Sequence, residues 1–297
     1  MDHLVSATQF NVDQVMHVFE HAEQLRCERL PVLQDQIVCT AFYQRSTRTR
    51  LSFESAVLRL GGQVLTETHE SSSAGKGETL GDSLRTMSQY CDLLVVSHPR
   101  LLHEAVKHSY VPVINTGDCA EHPTQALLDW FTIHEHLGRP DRFNLTVVGD
   151  LAQGRTVHSL MHIARLFGVK VNLVAMPGLE LPRPYHTPNT VELTHESDIK
   201  QAMRETDIFY MTRLQTDQGS ESSDYFELEQ EHLRLLPQDA LIMHPLPRCK
   251  ELPEWVDTDP RAAYHTRQVT NGLYVRMAIL SLMRSPQMLF SQEMASR

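Results

Sequence analysis

The sequence contains no apolar run that approaches the ~20 residues needed to span a membrane, so we expect no membrane partner. A basic stretch followed by an apolar one is also missing after Met1, which predicts a protein that is not exported and works in the cytoplasm. The five cysteines have neither metal-binding nor redox spacing. This pattern favours reduced thiols and predicts no metal site.

Positive charge is scarce, with 27 lysines and arginines against 37 acidic residues and a net charge of −10. This balance argues against nucleic acid as a partner, because proteins that bind nucleic acid present basic surfaces. The glycine patterns of a Walker loop (G-x-x-x-x-G-K-S/T) and of a dinucleotide-binding turn (G-x-G-x-x-G) are both absent. A nicotinamide cofactor is therefore not supported.

Short apolar runs alternate with stretches of helical spacing, and this predicts an α/β fold with doubly wound parallel sheets. A chain of 297 residues is long enough for roughly two domains. We predict the boundary in a helix from Pro123 to Leu137, with domains at 1–128 and 129–270. A final helix, at about 271–283, fits either domain by its pattern. The predicted strands lie at 37–43, 63–66, 93–96, 111–115, 144–150, 169–174, 207–211 and 240–244.

The run from Phe42 to Arg50 is the most informative for function. It ends a predicted buried strand and enters a helix that stops at Gly61-Gly62. The predicted apolar positions of this helix are Leu51, Phe53, Ala56, Val57 and Leu60. Free N–H groups, hydroxyl groups and a planar guanidinium at such a turn suit phosphate oxygens, and the side chains available are Ser46, Thr47, Arg48 and Thr49. A phosphate site is one interpretation; an ordinary helix cap followed by surface arginines is the other.

Two further segments carry polar side chains that can reach a ligand. The flexible segment 71–79 holds Lys76 between two glycines, and it is either a mobile anion-binding loop or a solvated surface loop. His122 precedes Pro123 at a predicted helix start, with Gln125 in the first turn. A histidine there can donate a hydrogen bond to a carbonyl oxygen, although a capping role explains it equally well.

In the second half, isolated polar side chains follow predicted strands. Arg155 follows the segment 144–150, and Arg213 and Gln215 follow 207–211. Ligands in open α/β sheets bind outside the carboxyl ends of strands, so both arginines are placed for anion recognition. The turn from His244 to Arg248 contains two prolines, and its free carbonyl groups can accept from an amine or amide. Each feature alone is more readily structural, but five such strand ends favour a site.

Together these stretches resemble the aspartate/ornithine carbamoyltransferase family, in order and spacing, over most of the chain. The matching stretches lie at 46–50, 75–80, 122–129, 149–160, 210–215 and 244–248. Leu246, Arg213 and Gln215 are similar to residues of the aspartate branch. The resemblance implies that the last helix, at about 271–297, returns to the first domain. It also implies a homotrimer with shared active sites and a reaction without metal or organic cofactor.

The resemblance further implies transfer of the carbamoyl group from carbamoyl phosphate to the amine of L-aspartate, a step of pyrimidine biosynthesis. It assigns catalytic roles to Arg48, Thr49, His122 and Lys76, the last from a neighbouring subunit. The residues it assigns to carbamoyl phosphate are Ser46, Thr47, Arg48, Thr49, His122, Gln125 and Leu246. Those it assigns to L-aspartate are Lys76, Arg155, Arg213, Gln215 and Pro247. Whether regulatory chains or a dihydroorotase partner join the trimer stays open. We predict that the loop 216–223 and the tail 285–297 are mobile.

Two positions depart from the family pattern. Gln44-Arg45 stands where aspartate enzymes usually have Glu-Pro, and Ser97 stands where the family places an arginine that contacts phosphate and carbonyl oxygen. Losing such a donor from a dry site lowers a rate by ~10²–10³. We hypothesise that Arg45 replaces the missing charge. Two alternatives stay open: a non-catalytic homologue that acts as a structural or regulatory subunit, and a carbamoyltransferase with another amine acceptor.

Overall fold

The computed structural model describes residues 3–68, 77–215 and 226–284 together with Leu289. The chain divides into two compact units, Met1–Leu128 with Asn271–Arg297 and Asp129–Thr270. Each unit has its own parallel sheet connected through helices, so the predicted α/β class with two doubly wound sheets is confirmed. The predicted mobile loop and the predicted mobile tail, apart from Leu289, lie outside the described residues.

All strands of the described residues are parallel to their neighbours. They are β1 (Ile37–Phe42), β2 (Gln63–Thr68), β3 (Leu93–Ser97), β4 (Val113–Asn115), β5 (Asn144–Val148), β6 (Lys170–Val174), β7 (Thr190–Leu193), β8 (Ile208–Met211) and β9 (Leu241–Met243). The α-helices are α1 (Val12–Cys27), α2 (Thr47–Arg59), α3 (Leu80–Met87), α4 (Pro123–Leu137), α5 (Arg155–Phe167), α6 (Glu196–Glu205), α7 (Gln230–Leu235) and α8 (Arg267–Met283). The sequence patterns predicted each of these strands except β7.

In the first unit, four strands lie in the order β2-β1-β3-β4. β1 is buried along nearly its whole length, as expected for an interior strand of a parallel sheet. Helix α2 buries Phe53 and Val57 completely, as its pattern predicted. The prediction that Leu51 shares this apolar face was wrong, since Leu51 is 53% exposed. Residues two apart lie on opposite sides of a helix, so Leu51 and Phe53 cannot both face the core.

Helix α8 joins the C-terminal segment to the first unit from Asn271 onward. Its Asn271 Oδ1 accepts a hydrogen bond from Arg26 of α1 at 2.7 Å. Further along, the ring of His21 in α1 lies 2.9 Å from the hydroxyl of Ser281. These contacts show that the last helix returns to the first unit, as the resemblance implied.

In the second unit, five strands lie in the order β7-β6-β5-β8-β9. The central strand β5 is buried from Leu145 to Val148. β7 forms one edge, and two of its four residues are exposed. A short, half-polar edge strand has no continuous apolar run, which explains why the sequence pattern missed it. None of the helices in the described part of the chain combines the length and apolar composition that a membrane span needs.

Candidate functional site

Each sheet has a topological switch point, where the chain continues from a central strand to its neighbour on one side and later adds strands on the other side. In the first unit, β1 pairs with β2 on one side and with β3 on the other. In the second unit, β5 pairs with β6 on one side and with β8 on the other. Ligands of open α/β sheets bind outside the carboxyl ends of the strands that flank such a switch point. The loops after β1 and β3, and those after β5 and β8, are therefore the candidate sites.

The loop after β1 opens α2, and Ser46 is the N-cap of this helix. Within the described residues, the Ser46 side chain makes no capping hydrogen bond, which leaves its hydroxyl for other partners. Thr47 and Arg48 are exposed, whereas Thr49 is buried. The backbone N–H groups of a first helical turn attract anions, and exposed hydroxyl and guanidinium groups add donors. The turn predicted to bind phosphate is thus located at the first switch point.

Ser97 ends β3 at the same switch point and is completely buried. Its backbone carbonyl accepts from Tyr43 N–H at 2.9 Å, so the ends of β1 and β3 are joined. Its hydroxyl donates to the carbonyl of Gly117 at 3.1 Å, in the loop after β4. The position where the resemblance implies an arginine therefore holds a neutral hydroxyl that is bonded to the backbone.

His122 lies at the start of α4, after the loop that Ser97 contacts, and is 6% exposed. Its Nδ1 accepts a hydrogen bond from the backbone N–H of Gln125 at 3.3 Å. A backbone N–H can only donate, so Nδ1 carries the lone pair and the neutral ring carries its proton on Nε2. The capping and functional interpretations are therefore compatible, because capping through Nδ1 leaves Nε2–H as the donor. Gln125 itself is largely buried.

At the second switch point the loops after β5 and β8 approach very closely. Gly149 follows β5 with φ +128°, and a Cβ there would lie 2.1 Å from the carbonyl oxygen of Thr212. The buried carboxylate of Asp150 accepts from the N–H of Gln153 at 3.0 Å and from that of Gln215 at 2.9 Å. Asp150 therefore holds both loops together. The stretch 149–160 matched the family pattern, but no local spacing in the sequence indicated this role of Asp150.

The side chains predicted to bind the acceptor, Arg155, Arg213 and Gln215, belong to the two loops that Asp150 joins or directly follow them. Arg155 is the first residue of α5, and the helix begins tightly, because a Cβ on Gly154 would lie 2.6 Å from the carbonyl of Asp150. Arg213 donates from Nη1 to the carbonyl of Leu214 at 3.1 Å. Gln215 donates from Nε2 to the carbonyl of Arg213 at 3.2 Å. Arg155, Arg213 and Gln215 are half-buried, which suits recognition of a small anion.

The turn after β9 has an unusual backbone. Leu246 adopts φ +56°, and its peptide bond to Pro247 is cis. A left-handed conformation costs a residue with a side chain roughly 1–2 kcal/mol, so the turn needs external support. His244 supplies it, because its Nδ1 accepts from the Leu246 N–H at 2.8 Å. Leu246 and Pro247 are thus held in a defined geometry.

Arg248, at the end of the same turn, is held by a structural ion pair. Its guanidinium donates to both carboxylate oxygens of Asp257 and lies over the ring of Tyr264 at 5.7 Å. The hydrogen bond from Arg248 holds the pKa of Asp257 below its usual value. Arg248 therefore stabilises the turn rather than offering its charge to a ligand.

Lys76 lies outside the described residues, so the structure gives no position for it. Among the described residues, Glu229, Glu231 and His232 form a group with metal-ligand spacing at the start of α7. Lys200 pairs with Glu231 at 3.3 Å, and His232 Nδ1 accepts from the N–H of Glu229 at 3.2 Å. The ion pair with Lys200 and the hydrogen bond between His232 and Glu229 give these side chains a structural role. The group lies in a different segment from the strand-end loops.

Comparison with known proteins identifies the family. Residues 2–135 match the family model for the carbamoyl-phosphate-binding domain of aspartate/ornithine carbamoyltransferases. Residues 141–283 match the model for the aspartate/ornithine-binding domain. The chain belongs to the aspartate/ornithine carbamoyltransferase family. The assignment made from sequence motifs is confirmed.

Similar proteins carry more specific names. The chloroplastic aspartate carbamoyltransferase of Oryza sativa subsp. japonica is 41% identical, over 94% of this chain and 84% of that protein. The multifunctional protein CAD of Squalus acanthias is 41% identical over 94% of this chain, which spans only 13% of that protein. The aspartate transcarbamoylase of Trypanosoma cruzi in complex with carbamoyl phosphate is 37% identical with a TM-score of 0.87, covering 94% of this chain and 95% of that one.

Proposed function

We propose that this protein transfers the carbamoyl group of carbamoyl phosphate to the amine of L-aspartate, which gives N-carbamoyl-L-aspartate and phosphate. Relatives named for this activity match nearly the whole chain. The similar Trypanosoma cruzi enzyme has been crystallised with carbamoyl phosphate and aspartate together and with N-(phosphonacetyl)-L-aspartic acid. The observation that carries the proposal is that anion-binding side chains follow the strands that flank both switch points.

The two units have different roles in this proposal. The first unit binds carbamoyl phosphate, with Ser46, Thr47, Arg48 and Thr49 around the phosphate and His122 and Gln125 on the carbamoyl group. The second unit binds L-aspartate, with Arg155 on one carboxylate and Arg213 with Gln215 on the other. Leu246 offers its carbonyl to the carbamoyl amide nitrogen, and Pro247 contributes to the aspartate site. The geometry that supports these roles is the placement of each group at a strand end.

The chemistry needs no covalent bond to the protein. The amine of aspartate attacks the carbamoyl carbon, a C–N bond forms, the C–O bond to phosphate breaks, and the proton of the amine passes to the departing phosphate. His122 Nε2–H and Arg48 stabilise the negative charge that develops on the carbamoyl oxygen. One such donor contributes ~3–4 kcal/mol, and holding the two reactants together contributes ~7–11 kcal/mol.

We further propose that the protein is a cytoplasmic homotrimer of pyrimidine biosynthesis in which Lys76 serves a neighbouring chain's site. A mixing experiment tests the shared site. Arg48→Ala and Lys76→Ala are each expected to lower activity by ~10²-fold or more when assembled alone. Mixed trimers contain some sites with neither substitution, so dissociating and reassembling the two together restores part of the activity. If the activity of the reassembled mixture does not exceed the summed activities of the two separate variants, the site is not shared between chains.

Ser97 favours a second candidate, a structural or regulatory subunit without turnover. The two candidates differ in one assay, the formation of N-carbamoyl-L-aspartate by the purified protein, with ornithine and other amines as controls. Turnover with aspartate alone supports the proposed function. Turnover with another amine supports a different acceptor, and an intact trimer without any product supports the subunit.

A further inference from the structure

A buried carboxylate in the second unit joins α4 to β8 and to the start of α8. Asp129 of α4 is completely buried and accepts hydrogen bonds from Tyr210 Oη of β8 at 2.8 Å and from Gln268 Nε2 of α8 at 2.6 Å. Tyr210 is also completely buried, and Gln268 is 2% exposed. Buried aspartates are rare and need strong partners. The predicted site residues do not include Asp129, Tyr210 or Gln268.

One branch from Asp129 leads to the turn after β9. Gln268 Oε1 accepts from the backbone N–H of His244 at 3.1 Å. The ring of His244 then accepts the Leu246 N–H at Nδ1. Its Nε2 donates to Glu251 Oε1 at 2.9 Å, because the Nδ1 bond sets the tautomer. The left-handed Leu246 is therefore held by a chain of hydrogen bonds that begins at Asp129.

The other branch leads to the first turn of α5. The Tyr210 hydroxyl also receives a hydrogen bond from Thr156, the residue after Arg155. Burial and the Asp129 carboxylate raise the pKa of Tyr210 well above its usual value, so its hydroxyl keeps its proton and donates. The start of the helix that carries Arg155 is therefore connected to the Asp129 carboxylate through Tyr210, as the Leu246 turn is through Gln268 and His244.

We propose that Asp129 is a positioning residue that holds Arg155 and the Leu246 turn in a fixed relation, so that both act on one acceptor molecule. This inference rests on the proposed function, in which Arg155 binds a carboxylate of aspartate. A network kept only for stability has no reason to end at two ligand-binding loops. Buried polar networks are also weak stabilisers compared with apolar packing, which fits a positioning role better.

The test breaks the branch through Gln268 with a side chain of similar size. Gln268→Met loses the bonds to Asp129 and His244, and we expect kcat/KM for aspartate to fall by ~10–100-fold, because small displacements of binding groups have effects of this size. The inhibition constant of inorganic phosphate, which reports on the first unit, should change less than about twofold. Asp129→Asn can keep both bonds, since the hydroxyls of Tyr210 and Thr156 can reverse direction. It should stay within about threefold of the natural protein.

A matched control separates positioning from stability. Thr206 is buried at the opposite end of β8 and donates its hydroxyl to the carbonyls of Asn144 and Ile208. Thr206→Val should lower the melting temperature and leave kcat/KM within about twofold. Wild-type kcat/KM in Gln268→Met, or an equal loss of kcat/KM in Thr206→Val, overturns the proposal. If Gln268→Met does not fold, Tyr210→Phe removes a single bond, and a kcat/KM unchanged from the natural protein overturns the proposal in the same way.

Succinate, an acceptor analogue without the amine, distinguishes this inference from the proposed function. If the natural protein makes no carbamoyl-aspartate, the proposed function fails, but calorimetric binding of succinate still tests the positioning. Weaker succinate binding in Gln268→Met than in Thr206→Val supports the role of Asp129. Equal binding in both variants contradicts it.

Discussion

The switch points of the two units are held together by different chemistry. In the second unit, the buried carboxylate of Asp150 accepts backbone N–H groups from the loops after β5 and β8. In the first unit, a neutral backbone hydrogen bond from the Tyr43 N–H to the Ser97 carbonyl joins the ends of β1 and β3, and the Ser97 hydroxyl donates to the carbonyl of Gly117 after β4. The proposed acceptor site is thus built around a fixed charge. The proposed phosphate site depends on a helix start and on exposed side chains such as Arg45 and Arg48.

This difference has a functional consequence. Exposed groups can adjust to a ligand, so the loss of one cation from the first unit can be offset by a neighbour. The second unit has less freedom, because removing a buried acceptor leaves an unsatisfied N–H, which costs about 1–3 kcal/mol. Substitutions in the two units should therefore differ in which substrate's KM they change.

Arg48→Ala should have the largest effect. The guanidinium contacts both the phosphate and the developing oxyanion in the proposed reaction, so kcat/KM for carbamoyl phosphate should fall by ~10²–10³. Steady-state kinetics measures this, with Arg59→Ala at the other end of α2 as the control. If kcat/KM falls equally in Arg48→Ala and Arg59→Ala, the effect comes from the total positive charge of α2 and not from a contact between Arg48 and phosphate.

Asp150→Asn should impair the second unit alone. The amide cannot accept both N–H groups, so Gln215 loses its fixed position and KM for aspartate should rise by ~10–100-fold. KM for carbamoyl phosphate should change little. Asp141→Asn, in the loop before β5 at the opposite end of the strand, is the matched control. A parallel rise of both KM values contradicts the division between the units.

Arg45→Ala tests whether this residue offsets the missing arginine. A charge-assisted contact to phosphate is worth roughly 1.5–3 kcal/mol, and because Arg45 is exposed we expect the lower end of this range, so that carbamoyl phosphate binds ~10-fold more weakly. Arg45→Lys keeps the charge and should recover most of the affinity. Calorimetry or phosphate inhibition measures the effect. Unchanged affinity in Arg45→Ala excludes Arg45 as the replacement.

The smallest effect concerns Glu251 below neutral pH. Burial alone would raise the pKa of Glu251, but hydrogen bonds from His244 and the Cys249 N–H outweigh it and hold the pKa below its usual value. A depressed pKa stabilises the folded state above the unfolded value of about 4.3, and this contribution is lost as the pH falls through the folded pKa. The free energy of unfolding of the natural protein should therefore exceed that of Glu251→Gln by less at pH 3.5 than at pH 6, as measured by urea unfolding. A constant difference contradicts this.

The sequence predicted the strands and the loops after them, because buried parallel strands are continuous apolar runs and the turns after them carry concentrated polar residues. It placed Leu51 on the wrong face because an apolar residue at a helix start was counted without its angular position. It missed β7 because an edge strand needs no apolar run. Both errors arose because the local sequence pattern does not show which residues the tertiary structure buries.

The buried carboxylates could not be assigned from sequence for a different reason. Asp150 and Gln215 are 65 positions apart, and Asp129 and Gln268 are 139 apart. Such contacts arise only when the sheet brings its strand ends together, and no local spacing reports them. The roles of Arg155, Arg213 and Leu246 were suggested by resemblance, whereas the groups that hold them needed the structure.

The most direct test of the account is a crossed kinetic measurement on Arg48→Ala and Arg213→Ala, with both substrates varied and N-carbamoyl-L-aspartate as the product. If the first unit binds carbamoyl phosphate and the second binds aspartate, Arg48→Ala raises KM for carbamoyl phosphate far more than KM for aspartate. Arg213→Ala should show the reverse pattern. A natural protein that makes no product, or variants that change both KM values alike, would contradict the account.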